Sequence, residues 1–77
     1  MDLNDYLETV SLMDCTGQVT HQLTLQMDGT VSIRVGHTDV VIDPSTRELR
    51  PRSIQLGRGD YGHEAVIDLA CNMARGG

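Results

Sequence analysis

The chain has 77 residues, enough for one domain, with six Arg, no Lys and eleven acidic residues, for a formal net charge of −5. A chain this short buries only roughly 60% of its unfolded surface, and with no Phe or Trp and only two Tyr its core has to come from Val, Leu, Ile and Met. No apolar run is long enough to span a bilayer, and Cys15 and Cys71 make neither a CxxC pair nor a disulfide framework. The expected setting is therefore cytoplasmic, with both cysteines reduced and homodimerisation a natural supplement to a small core.

At the N-terminus Leu3, Tyr6, Leu7, Val10 and Met13 recur at helical spacing. Asp2, Asp5 and Glu8 suit the positive end of a helix dipole. This spacing predicts a helix over 1–14, although Thr9, Val10 and Ser11 are mediocre helix formers, with Gly17 ending the segment.

From Gln18 to Asp43 the pattern changes to strict alternation. Val19, Leu23, Leu25, Val31, Ile33 and Val35 are apolar, while Gln18, Thr20, Gln22, Thr24, Gln26, Thr30, Ser32 and Arg34 are polar, the period of half-buried strands. A two-residue turn at Asp28-Gly29 would set Leu25 against Ser32 and mix the faces. A three-residue loop, Met27-Asp28-Gly29, with Gly29 left-handed as a G1 bulge, pairs Leu25 with Val31 and Leu23 with Ile33. A two-residue turn at Gly36-His37 then pairs Ile33 with Val40 and Val31 with Ile42, and sets Arg34 against Asp39. The expected inner face is Val19, Leu23, Leu25, Val31, Ile33, Val40 and Ile42.

Asp43-Pro44-Ser45-Thr46 has the composition of a type I turn. Arg47–Arg50 is suited to a short fourth strand, which Pro51 confines to an edge or an end. Residues 51–60 form an Arg/Gly-rich loop. A C-terminal helix is predicted over 61–75, with Asp60 as N-cap, Val66, Leu69, Ala70 and Met73 facing inward, and Glu64, Asp68, Asn72 and Arg75 outward. The expected fold is α+β: a small antiparallel three- to four-stranded β-meander over 18–50, packed against the C-terminal helix and preceded by the N-terminal one, in the order α-β-β-β-(β)-α.

Charge is polarised along the chain. Arg47, Arg50, Arg52 and Arg58 lie in a twelve-residue stretch with one acid, Glu48, whereas residues 1–14 hold Asp2, Asp5, Glu8 and Asp14 and no base. Arginine forks suit carboxylate or phosphate recognition, so Arg47, Arg50, Arg52 and Arg58, with Asp2, Asp5 and Glu8, are the candidate partner-binding residues. The same arginines can instead pair locally with Glu48, Asp43 or Asp60. A negative net charge and the lack of aromatic residues in the segment argue against nucleic acid.

The remaining motifs are weaker. Arg58-Gly59-Asp60 spells an integrin-type tripeptide in a place where Asp60 is expected to cap a helix. Gly57 to Gly62 matches neither the Walker pattern nor the dinucleotide fingerprint. His21, His37, His63, Cys15 and Cys71 lack the close spacing of zinc ligands, so no metal and no cofactor is expected. His63 and Cys71, eight residues apart on one helix, stand roughly 12 Å apart along its axis and cannot form a catalytic pair.

Arg75-Gly76-Gly77 and the chain length are similar to those of ubiquitin-like modifiers and bacterial sulfur carriers. That resemblance implies a β-grasp fold and a C-terminal diglycine used as an adenylated or thiocarboxylated handle, reached from a strand. The element order read here differs, and glycines after a helix also serve as an ordinary C-cap. The leading expectation is a small non-catalytic protein-interaction module, an adaptor, inhibitor or antagonist of a larger protein, by analogy with small acidic domains of phage and mobile elements. The alternatives are a diglycine carrier and a phosphate or nucleic-acid binder acting through Arg47–Arg58.

Overall fold

The computed structural model describes residues 6–76, with only the backbone of Tyr6 and Leu7. Five strands and a helix follow in chain order: β1 (Tyr6–Met13), β2 (Val19–Gln26), β3 (Val31–Val35), β4 (Thr38–Asp43), β5 (Glu48–Arg50) and α1 (His63–Ala74). Each strand pairs antiparallel with its sequence neighbour, so the sheet is a meander in the order β1-β2-β3-β4-β5. The class is α+β as expected, but the sheet has five strands, not three or four.

The extra strand is β1, and it corrects the N-terminal helix expected over 1–14. Residues 6–13 are strand, and residues 1–5 lie outside the described residues. Val10 and Leu12 turn toward the core, while Thr9, Ser11 and Met13 face out, a period-2 pattern beneath the helical one. β-Branched Thr9 and Val10 favour the extended form. Pairing Thr9 with Thr24 and Val10 with Leu23 covers what would otherwise be a bare edge of β2.

The inner hairpins follow face matching. Leu25 faces Val31 and Leu23 faces Ile33, with Gly29 at φ +93° and its N–H donating to the Gln26 carbonyl at 3.0 Å. Across the next turn Ile33 faces Val40, Val31 faces Ile42 and Arg34 faces Asp39. Gly36 there has φ +62° and His37 has a negative φ, as a type II′ turn requires.

One expected inner residue is misplaced. Val19 is 58% exposed, and the residue buried next to His21 is Thr20 instead. The cause is a bulge: Leu12 pairs with His21 but Met13 pairs with Val19, so Thr20 is an extra residue on β2. Thr20 and His21 are consequently buried side by side, and Val19 joins Met13 on the outside.

Helix α1 covers the inner face of the sheet. Val66, Ile67, Ala70 and Cys71 are buried against Leu23, Ile33, Val40 and Ile42, with Leu69 and Met73 partly buried at the margin. The inner stripe is thus turned toward Ile67 and Cys71, two residues beyond those expected to face inward. The helix starts at His63 with Gly62 as N-cap and no capping side chain, which corrects the assignment of Asp60. That residue lies in a tight turn, where Arg58 and Tyr61 exchange both backbone hydrogen bonds at 2.9 and 3.2 Å. At the other end Gly76, at φ +79°, donates to the Met73 carbonyl at 3.0 Å, a left-handed C-cap. Among the described residues no helix is long and apolar enough to cross a membrane.

Candidate functional site

The β1–β2 turn (residues 14–18) and the Gly36-His37 turn sit at the same end of the meander, and the long loop after β5 returns to that end. Three turns share one local device. Asp14, Asp28 and Asp43 each accept, on Oδ1, both the N–H and the hydroxyl of the residue two positions on: Thr16 at 2.9 and 2.5 Å, Thr30 at 2.9 and 2.6 Å, and Ser45 at 3.0 and 2.7 Å. These Asp-x-Ser/Thr turns are self-contained. In each, the hydroxyl bond is the main cause holding the carboxyl below its usual range.

The loop of residues 51–62 is stapled through Leu56, whose side chain is fully buried. Its carbonyl receives His21 Nε2 at 2.6 Å, and its N–H donates to His63 Nδ1 at 3.1 Å. A carbonyl only accepts, so His21 Nε2 carries a hydrogen. His21 Nδ1 lies 2.8 Å from the Thr20 hydroxyl, and Tyr61 meets the His21 ring edge to face at 6.0 Å. The bulge at Thr20 therefore sets a buried hydroxyl beside the imidazole that anchors the loop.

With the loop anchored, Arg58 and Gly59 close over the end of the sheet. They bound a cleft of about 340 Å³ whose other walls include Asp14, Gln22, Arg34 and Gly36. Arg58 Nη1 lies 2.7 Å from where a Cβ on Gly36 would stand. On Gly59, at φ +63°, a Cβ would meet Thr20 Cγ2 at 3.0 Å and Asp14 Cβ at 3.4 Å. Two glycines thus let two turns and an arginine approach closely enough to form the cleft. Arg34 is held by Asp39, through Nε at 2.9 Å and Nη2 at 3.4 Å; this contact lowers the Asp39 carboxyl and raises the guanidinium. Arg58 makes no ion pair with any described carboxylate.

The four arginines singled out in the sequence do not form one patch. Arg47, at φ +61°, bonds Asp68 at 2.8 Å and stands 3.6 Å from Glu64, with Nη1 3.8 Å from Cys71 Sγ; it ties the β4–β5 turn to α1. Arg52 pairs with Glu48 at 3.0 Å. Arg50 is exposed beside Val41 on the outer face. Arg47 and Arg58 lie at opposite ends of β4, whose six residues span about 20 Å. Glu8 is exposed at an apolar groove between β1 and α1 lined by Val10, Leu69 and Met73. Asp2 and Asp5 lie outside the described residues. Arg34, Asp14, Gly36 and Gly59 did not stand out as a site, because nothing local links the β3–β4 turn to residue 58.

Among the described residues no group of three or more His, Cys, Asp or Glu side chains is placed to hold a metal ion. Comparison with protein-family models, with curated proteins and with solved structures gives no match to this chain.

Proposed function

We propose that the chain is a small non-catalytic interaction module, which docks a partner protein on the face of the sheet opposite α1 and acts as an adaptor, inhibitor or antagonist. The observation that carries this reading is the one-sided layering. Helix α1 packs on the inner face, while the outer face carries cross-strand rows such as Thr9–Thr24–Ser32–Val41–Arg50 and Ser11–Gln22–Arg34–Asp39. Met13 and Val19 add exposed apolar surface at its margin, 52% and 58% accessible. Polar side chains around a few apolar ones are the ordinary make-up of a non-obligate interface. Two of the groups best suited to acid–base chemistry have structural roles, since both ring nitrogens of His21 and Nδ1 of His63 are hydrogen-bonded within the fold.

Affinity capture from the native host with three forms tests this reading. The double substitution Thr9→Arg/Thr24→Glu alters the centre of the outer face with an opposite-charge cross-strand pair that the sheet tolerates. Glu64→Arg alters the exposed face of α1. A partner held by the wild type and by Glu64→Arg, and lost by the outer-face double variant, supports the reading. A partner lost only by Glu64→Arg overturns it.

A further inference from the structure

We infer that the cleft between the Gly36-His37 turn and the Arg58–Tyr61 turn binds a carboxylate carried next to an N–H donor, the pair of groups presented by a free amino acid or by the C-terminal residue of a peptide. The carboxylate is received by Arg58. Its guanidinium lines the cleft, rests against the Gly36 backbone with Nη1 2.7 Å from the missing Cβ position, and forms no ion pair with a described carboxylate. A guanidinium presents paired N–H groups at the spacing of the two carboxylate oxygens. Arg34 beside it spends Nε and Nη2 on Asp39, which leaves Nη1 for the same ligand.

The donor half of the ligand is set by Asp14. All of its side-chain hydrogen bonds from described residues fall on Oδ1, from Thr16 N, Thr16 Oγ1 and Gln18 N, so Oδ2 is an open acceptor on a residue that lines the same cleft. Charge selects the same class. Arg34 is balanced by Asp39, and Arg58 and Asp14 line the same cleft, so a zwitterion, a carboxylate carried with its own ammonium, leaves no charge uncompensated, and a carboxylate beside a neutral N–H leaves one. A phosphate dianion would add two negative charges to a cleft already balanced and brings no cationic group for Asp14. The volume of about 340 Å³ lies at the small end of ligand sites, about 300–1,000 Å³, enough for one residue. This inference does not depend on protein docking at the outer face, since a free amino acid satisfies it.

The test is amide and arginine Nε–H shift mapping of the labelled chain, titrated separately with alanine, N-acetylalanine, alaninamide and inorganic phosphate. The expected result is a saturable shift at Gly36, Gly59 and Arg58 Nε with alanine or N-acetylalanine, at a Kd on the order of millimolar for so small a ligand. Preference for alanine identifies a free amino acid, and preference for N-acetylalanine a peptide terminus. Arg58→Gln should weaken binding at least about tenfold, with Arg58→Lys intermediate because the charge stays and the fork is lost; the unchanged spectrum of residues 24–31 shows that both variants fold. Equal shifts with alaninamide, tighter binding of phosphate, or no saturable shift with any probe overturns the inference. Loss of a captured protein in the outer-face double variant leaves it untouched, because that variant alters no cleft residue.

Discussion

His21 Nε2 and the carbonyl oxygen of Leu56, 35 residues apart in sequence, are joined by a hydrogen bond of 2.6 Å inside the core. No other side-chain hydrogen bond among the described residues spans so long a stretch of chain. It connects the bulged start of β2 to the loop that closes the cleft, so the cleft inherits its shape from a buried imidazole.

Replacing His21 with Leu keeps much of the volume and removes the donor. The Leu56 carbonyl is then left without its partner, which costs about 1–3 kcal/mol for a buried acceptor. Urea unfolding should show a lower midpoint at unchanged slope, and the amides of residues 57–61 should exchange faster. A loss below about 0.5 kcal/mol, within the range of ordinary surface substitutions, would show that the loop is held by Leu56 packing and its bond to His63 without the imidazole of His21.

Three turn glycines should rank in a definite order when changed to Ala. Each has positive φ, so each substitution carries backbone strain of about 1–3 kcal/mol. Gly29 has nothing within 4 Å of the added Cβ, Gly36 meets the movable end of Arg58 at 2.7 Å, and Gly59 meets Thr20 Cγ2 at 3.0 Å and Asp14 Cβ at 3.4 Å. Arg58 can swing away, whereas Thr20 is fixed by the bulge. Gly59→Ala should therefore be the most destabilising and Gly29→Ala the least, measured as shifts in the urea midpoint. Adding Arg58→Gln should relieve part of the Gly36→Ala loss and none of the Gly29→Ala loss.

Acid should weaken the fold through its turns. Asp14, Asp28, Asp39 and Asp43 all have lowered pKa values, from hydrogen bonds with Thr16, Thr30, Arg34 and Ser45 respectively. With the folded pKa below the unfolded one, the unfolded chain binds more protons in acid. The contribution is complete above the unfolded value of about 4 and is lost as pH falls through the lowered folded values. The urea midpoint should be flat from about pH 5 to neutrality on account of these groups and should drop below about pH 4. Asp28→Asn, which keeps the turn acceptor without the charge, should make that acid slope shallower.

The central sheet was legible because register follows from matching faces across two glycine turns, and both Leu23–Ile33 and Ile33–Val40 stand where that matching puts them. The first strand was not, since Leu3, Tyr6, Leu7, Val10 and Met13 fit a helical stripe while polar/apolar alternation is confined to residues 9–12; the free edge of β2 decided between them. Val19 was misassigned because a bulge leaves no mark in a polar/apolar string. Of the cleft, the arginine was visible and its setting was not. Arg58 was grouped with Arg47, Arg50 and Arg52 by sequence distance, yet the turn back through Leu56 carries it to Arg34 and Gly36, and that turn depends on the non-local His21 contact.

Val19 and Leu23 give the sharpest test of the bulge. An unbroken alternation puts both inside, since they are four residues apart on one strand. The extra residue at Thr20 instead leaves Val19 mostly exposed and Leu23 fully buried. Leu23→Ala should cost about 2–5 kcal/mol, the transfer term plus a cavity under α1. Val19→Ser should stay within about 0.5 kcal/mol, as for a surface position. The urea midpoints of the two variants separate the registers directly. A loss of 1 kcal/mol or more, on the order expected for a core truncation, at Val19 would mean that β2 runs unbulged with Val19 in the core beside His21 and Leu23, and would turn Thr20 to the outer face, away from the imidazole.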